Sequence, residues 1–160
     1  MGTIQTNYIT PDIERWSNIL SPDDYETVVR FVNDSHNGVV WDKMLILSGG
    51  HRTGKSTLIN AIIATFDTNQ VSYPDDSSIN FNADTKIYAV LEWWTNNAIS
   101  NIKQILSRDE ICSRELYQTA IKFVPSANVI GVANTTPEGI YAHEPLLCDK
   151  VCVIRLTQTF

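Results

Sequence analysis

The stretch ILSGGHRTGKSTLINAII, residues 46–63, decides how this chain is read. Aliphatic residues run into a glycine-rich loop, and the loop runs into an amphipathic segment. Gly49, Gly54, Lys55 and Ser56 fill the pattern G-x-x-x-x-G-K-[ST], that of a phosphate-binding loop. Glycines adopt backbone angles closed to other residues and let several N–H groups converge on phosphate oxygens. Gly49, Gly50, His51, Arg52, Thr53, Gly54, Lys55, Ser56 and Thr57 are therefore expected to cradle a nucleotide's phosphates. Lys55 brings a charge to the β and γ phosphates, and the Ser56 hydroxyl is placed to ligate Mg²⁺. The motif needs a strand before it and a helix after it. MLIL (residues 44–47) and STLINAIIATF (residues 56–66) supply both, and the helix N-terminus adds its partial positive charge.

Upstream, LSPDDYETVVRFVNDSHNG reads as a helix. Ser21 caps it, Pro22 takes the first position, Asp23 and Asp24 fill the first turn, and Asn37-Gly38 stops it. Val28, Val29, Phe31 and Val32 are its apolar side. Downstream, DTNQVSYPDDSS is a polar connection with turn chemistry at Pro74-Asp75, followed by a short strand INFN. TKIYAVLEWW is rich in β-branched and aromatic residues and reads as a strand, after which Thr95 caps a helix NNAISNIKQILS. EICSRELYQ and AIKFVP form a hairpin around residues 118–120, and NVIGVAN and KVCVIRLTQT are two more strands. Strands alternating with helices around a phosphate loop predict an α/β fold with a mainly parallel central sheet flanked by helices.

The 160 residues suit one domain with a sizeable core, and 43% hydrophobic against 19% charged residues argues against disorder. We divide the chain into an N-terminal helical segment, residues 1–40, and a phosphate-loop core, residues 41–160, acting as one compact unit. No run of about 18 apolar residues exists and the first residues carry no secretory pattern, so an intracellular protein without a membrane span is expected. Cys112, Cys148 and Cys152 lack metal-site spacing and read as reduced, mostly buried thiols. A net charge of −6 counts against a surface that coats nucleic acid generally, while leaving room for a few basic side chains gathered in a channel.

A nucleotide hydrolase needs a carboxylate near the metal and the attacking water, usually at the end of a strand beside the phosphate-loop strand. Glu92, closing IYAVL, is the candidate; without the loop upstream it would read as an exposed strand-end glutamate. Asn134 ends NVIGVAN and has the geometry to contact the γ-phosphate or orient the water, although an Asn before TTP also suits a plain turn. The His51 and His143 side chains lack partners at metal or catalytic spacing and read as bystanders. Trp93 and Trp94 read as one core and one surface residue.

The order of these motifs resembles the ATPase core of a superfamily 3 helicase, closest to the phage and poxvirus-type primase-helicases. SRELYQTAIKFVPSANVIGVANTTP is similar to that family's hairpin and following strand at Arg114, Leu116, Tyr117, Phe123, Pro125, Asn134 and Pro137, and the similarity spans roughly residues 44–156. The resemblance implies an AAA+-type P-loop NTPase fold with a β-hairpin insertion. It implies a homo-hexameric ring that hydrolyses ATP with Mg²⁺ between subunits and draws single-stranded DNA, or RNA, through its centre. It makes Lys55 and Ser56 the phosphate and metal residues, Glu92 the acidic residue of the second motif, and Asn134 the sensor. Arg114, Tyr117, Gln118 and Lys122 belong to the DNA-facing hairpin.

Three positions depart from the family pattern. Gln118 stands where a basic tip residue is usual, Glu92 is followed by Trp93 rather than paired with a second acid, and Lys150 occupies the place of the arginine finger, with Arg155 further along. A lysine keeps the charge but loses the planar fork that contacts two phosphate oxygens. The resemblance implies the motor of a larger viral, phage or plasmid replication protein, in the host nucleus or cytoplasm if viral. The residues alone also fit an ATP-binding scaffold with weak turnover or, less well, a small-molecule P-loop kinase.

Overall fold

The computed structural model describes residues 8–50, 53–74, 84–91, 96–113, 121–133 and 150–156. Along the chain these form α1 (Pro11–Glu14), a 3-10 turn (Arg15–Asn18), α2 (Pro22–His36), β1 (Met44–Ser48), α3 (Lys55–Ile63), a second 3-10 turn (Thr68–Gln70), β2 (Val71–Ser72), β3 (Ile87–Val90), α4 (Asn96–Ser107), β4 (Ile111–Ser113), β5 (Ile121–Phe123), β6 (Asn128–Ala133) and β7 (Val151–Arg155). The helix starting at Pro22 begins as its sequence predicts: Ser21 Oγ accepts from the Asp24 N–H at 3.2 Å, and the two aspartates occupy the first turn. Val28, Phe31, Val32 and Ser35 are buried at helical spacing, whereas Val29, expected on the same face, is only half-buried.

Five strands form one parallel sheet in the order β2-β3-β6-β1-β7. Every residue of β1, β3 and β6 is buried. Alternate residues divide between two cores, as the two-residue repeat of a strand requires. Leu45, Leu47, Ile87, Ala89, Ile130 and Val132 pack on one side with side chains of α2 and α3 and with Ile13, Trp16 and Leu20 from the N-terminal segment. Met44, Ile46, Tyr88, Val90 and Val129 pack on the other with Ala98, Ile102 and Ile105 of α4. Covering both faces explains why these strands read as continuous apolar runs.

β4 and β5 pair antiparallel, Ile111 with Phe123 and Ser113 with Ile121, which is the expected hairpin. Two expectations are corrected. The polar connection after α3 contains a strand, β2, whose pairing with β3 extends the sheet. The strand leading to Glu92 is not beside the phosphate-loop strand, because β6 lies between β3 and β1. INFN, Thr95, Trp93 and Trp94 lie outside the described residues, as do Cys148 and His143. Cys152 is a free thiol and half-buried rather than buried.

Candidate nucleotide site

The loop leaves β1 at Ser48, at the C-terminal end of the sheet, where ligands of open α/β sheets bind. Two neighbours hold its start: the Gly49 N–H donates to Ala133 O at 3.1 Å, and the Leu156 N–H donates to Ser48 O at 2.7 Å. A Cβ on Gly49 would stand 2.6 Å from Leu156 O and 2.8 Å from Thr53 Oγ1, so only glycine permits this approach. At the other end of the loop Gly54 takes φ 86°, a left-handed conformation that turns the chain into α3.

Lys55 opens α3 and folds back into the loop, where its ammonium donates to Gly49 O at 2.7 Å and Gly50 O at 2.6 Å. The residue is only 7% exposed, and burial lowers its pKa from the usual lysine value. Thr53 Oγ1 donates to Gly50 O at 2.9 Å and is likewise buried. Gly50 O is thus shared by a lysine and a threonine, and the loop is shaped by its own side chains. Ser56 and Thr57, in the first turn of α3, are exposed. A hydroxyl at a helix N-terminus beside phosphate oxygens suits Mg²⁺, which keeps most of its ligands as water and phosphate. Among the described residues no three His, Cys, Asp or Glu side chains form a metal cluster.

His51, Arg52, Glu92, Arg114, Tyr117, Gln118 and Asn134 lie outside the described residues. The chain reaches Asn134 directly from Ala133, whose carbonyl is bonded to the loop. Lys122 is exposed on β5, paired with Cys112. Lys150 is exposed and precedes β7, whose first residue aligns with Met44 and whose last aligns with Ser48. It therefore stands at the far end of the strand from its own loop, roughly 16 Å away at strand rise.

A cavity of about 170 Å³ borders the loop at Thr53, walled by Leu20, Asp24, Arg155 and Leu156. Sequence reading gave neither Asp24 nor Arg155 a place in the site. The available signal was only that Arg155 ends an apolar strand.

A protein-family model described as a family of unknown function, DUF5906, matches residues 47–144, more than half of the chain. The chain belongs to that family. No curated protein matches its sequence. As a fold, the DUF5906 chain is similar to a structure described as the A form apo structure of the NrS-1 C-terminal region. The TM-score is 0.68 and the identity 12%, over 94% of this chain and 38% of that one. A second structure of the same region aligns at TM-score 0.63 and 14% identity over 93% of this chain and 38% of that one. NtrX from Brucella abortus in complex with ADP aligns over 83% of this chain and 36% of its own at TM-score 0.47 and 12% identity. The DUF5906 chain thus spans 38% of the length of the two NrS-1 chains. Among the described residues no helix is long and apolar enough to cross a membrane.

Proposed function

We propose that this domain is an ATP-dependent superfamily 3 helicase or translocase motor acting on single-stranded nucleic acid. The observation that carries the reading is the loop itself: Gly49 packed against β6 and β7, Gly54 left-handed, and Lys55 reaching back across the loop. Lys55 would move from the loop carbonyls to β and γ phosphate oxygens, neutralising charge there. Ser56 would hold Mg²⁺, which supplies electrostatic stabilisation of the transferred phosphoryl group.

The Glu92 carboxylate would orient and deprotonate water, and Asn134 would contact the γ-phosphate. Glu92 follows a strand one removed from β1, and such a carboxylate would approach the phosphates across the end of β6. Lys150 stands at the wrong end of β7 for its own loop, so in this reading it acts on the site of a neighbouring subunit in a homo-hexameric ring. The hairpin residues Arg114, Tyr117, Gln118 and Lys122 face the nucleic acid, and the exposure of Lys122 supports that placement.

One observation favours a second reading, an ATP-binding scaffold with slow turnover: a lysine, not an arginine, stands at residue 150. A small-molecule kinase is disfavoured, because the Arg108 guanidinium is engaged by backbone carbonyls at the opposite end of the sheet. The experiment is ATP turnover against protein concentration, with and without single-stranded DNA, using Lys55→Ala as blank. Cooperative turnover stimulated by DNA supports the motor. Binding with turnover no faster than the blank under every condition rejects it in favour of the scaffold.

A further inference from the structure

We propose that the cavity between the start of α2 and the end of β7 receives the base of the bound nucleotide, and that Asp24 determines which bases it accepts. The inference rests on reading the loop as a nucleotide site and extends it to the other end of the ligand.

Position is the first argument. The cavity and the loop share a wall: Thr53 lines the one and donates to Gly50 O in the other, and the backbone of Leu156 runs against Gly49. A nucleotide whose phosphates sit in the loop therefore has this concavity next to it.

Size and lining are the second. An apolar cavity of about 150 Å³ takes a benzene ring, and this one measures about 170 Å³. Leu20 and Leu156 offer apolar surface to the faces of a flat ring. Asp24, half-buried at the start of α2, lines one edge.

Bonding is the third. Asp24 gives its backbone N–H to the Ser21 cap, but its carboxylate has no hydrogen bond or ion pair among the described residues. A half-buried carboxylate gains from an N–H donor. Carboxylates read exocyclic amines on bases. The matching ligand is a nucleotide with an amino-bearing base. A base that presents only acceptors to Asp24, as uracil does at its keto groups, is disfavoured. Asp23 supports the N-terminus of α2 as Asp24 does but does not line the cavity, which separates helix stabilisation from base reading.

The test is displacement of a fluorescent ATP analogue by ATP, GTP, CTP, UTP and inorganic triphosphate. It compares the wild-type chain with Asp24→Asn, Asp23→Asn and Lys55→Ala. The expected wild-type preference for ATP or GTP over UTP is about tenfold, the usual worth of one well-placed base contact. Asp24→Asn should reduce it to under about threefold while inorganic triphosphate binds unchanged, and Asp23→Asn should preserve it. Equal competition by ATP and UTP in the wild type overturns the proposal, and so does an Asp24→Asn effect equal on ATP and inorganic triphosphate. In both cases the loop reading survives if Lys55→Ala abolishes triphosphate binding. If Lys55→Ala binds triphosphate like the wild type, the loop reading falls and takes the proposal with it.

Discussion

The two ends of the central sheet solve opposite problems with similar means. At the C-terminal end, Lys55 is buried and bonded to two carbonyls of its own loop. At the N-terminal end, Asn128 is fully buried and bonded to parts of the chain far away in sequence. Its Nδ2 donates to Ser35 Oγ at 2.9 Å and Val39 O at 3.0 Å, and its Oδ1 accepts from the Trp41 N–H at 2.7 Å and from Arg108 at 3.3 Å. Arg108, held at φ 57° just past α4, also donates to Ala127 O and Trp41 O, each at 2.7 Å.

The Asn128 cluster joins the end of α2, the approach to β1, the end of α4 and the start of β6, and it fills every bond its amide can make. The Lys55 bonds are local, and phosphate oxygens could take the place of its two carbonyl acceptors. A polar network filled by the chain's own distant groups fixes a fold, whereas one whose acceptors a ligand can replace suits binding.

The largest effect should come from Lys55→Ala. It should weaken nucleotide binding at least about 100-fold, equivalent to roughly 3 kcal/mol, while thermal unfolding shifts little. A variant that unfolds instead would mean that the lysine props up the loop, and the contrast between the ends would dissolve.

Asn128→Ala is the mirror experiment. It strands the buried Ser35 hydroxyl and the half-buried Trp41 N–H and should cost about 3 kcal/mol in urea unfolding. Nucleotide affinity of the folded fraction should stay within about twofold. A comparable loss of affinity would show that the ends are coupled through β6.

Gly49→Ala should sit between these two outcomes. Its Cβ meets the backbone carbonyl of Leu156, just past β7, so about 2 kcal/mol of stability should be lost together with nucleotide affinity. Differential scanning calorimetry with and without nucleotide separates the two losses.

The smallest effect is a pH dependence. His36 is stacked between Tyr8 and Phe66, with ring centroids 4.0 Å and 3.8 Å away. Thr65 Oγ1 donates to Ile62 O, so His36 Nε2–H is the donor to that hydroxyl at 2.8 Å. Burial, and then the Lys86 ammonium, lower its pKa from 6.5 to about 4. Between those values the unfolded chain binds a proton that the folded chain refuses. The stabilisation is therefore complete above about pH 6.5 and is lost as the pH falls toward 4. The melting temperature should drop across that window in the wild type and drop less in His36→Phe, which keeps the stack. Equal slopes would remove His36 from the account.

Much of the site was legible in the sequence because its determinants are local. The spacing of Gly49, Gly54, Lys55 and Ser56 fixes a loop conformation within eight residues, Ser21 and Pro22 fix a helix start, and apolar runs mark strands covered on both faces. What stayed illegible depends on partners distant along the chain. Nothing in Asn128, read as the first residue of an apolar strand, shows that Ser35 and Arg108 will meet it, and nothing in IYAVLE shows that β6 will lie between its strand and the loop.

The sequence by itself therefore determined the phosphate loop, the helix caps, the hairpin and the α/β class, since backbone geometry and hydrophobic period act over a few residues. Only the tertiary structure decided the strand order, the Asn128 clamp and the placing of Asp24 beside Thr53 and Arg155. Those depend on which surfaces bury each other, a choice made among the whole chain's apolar faces at once.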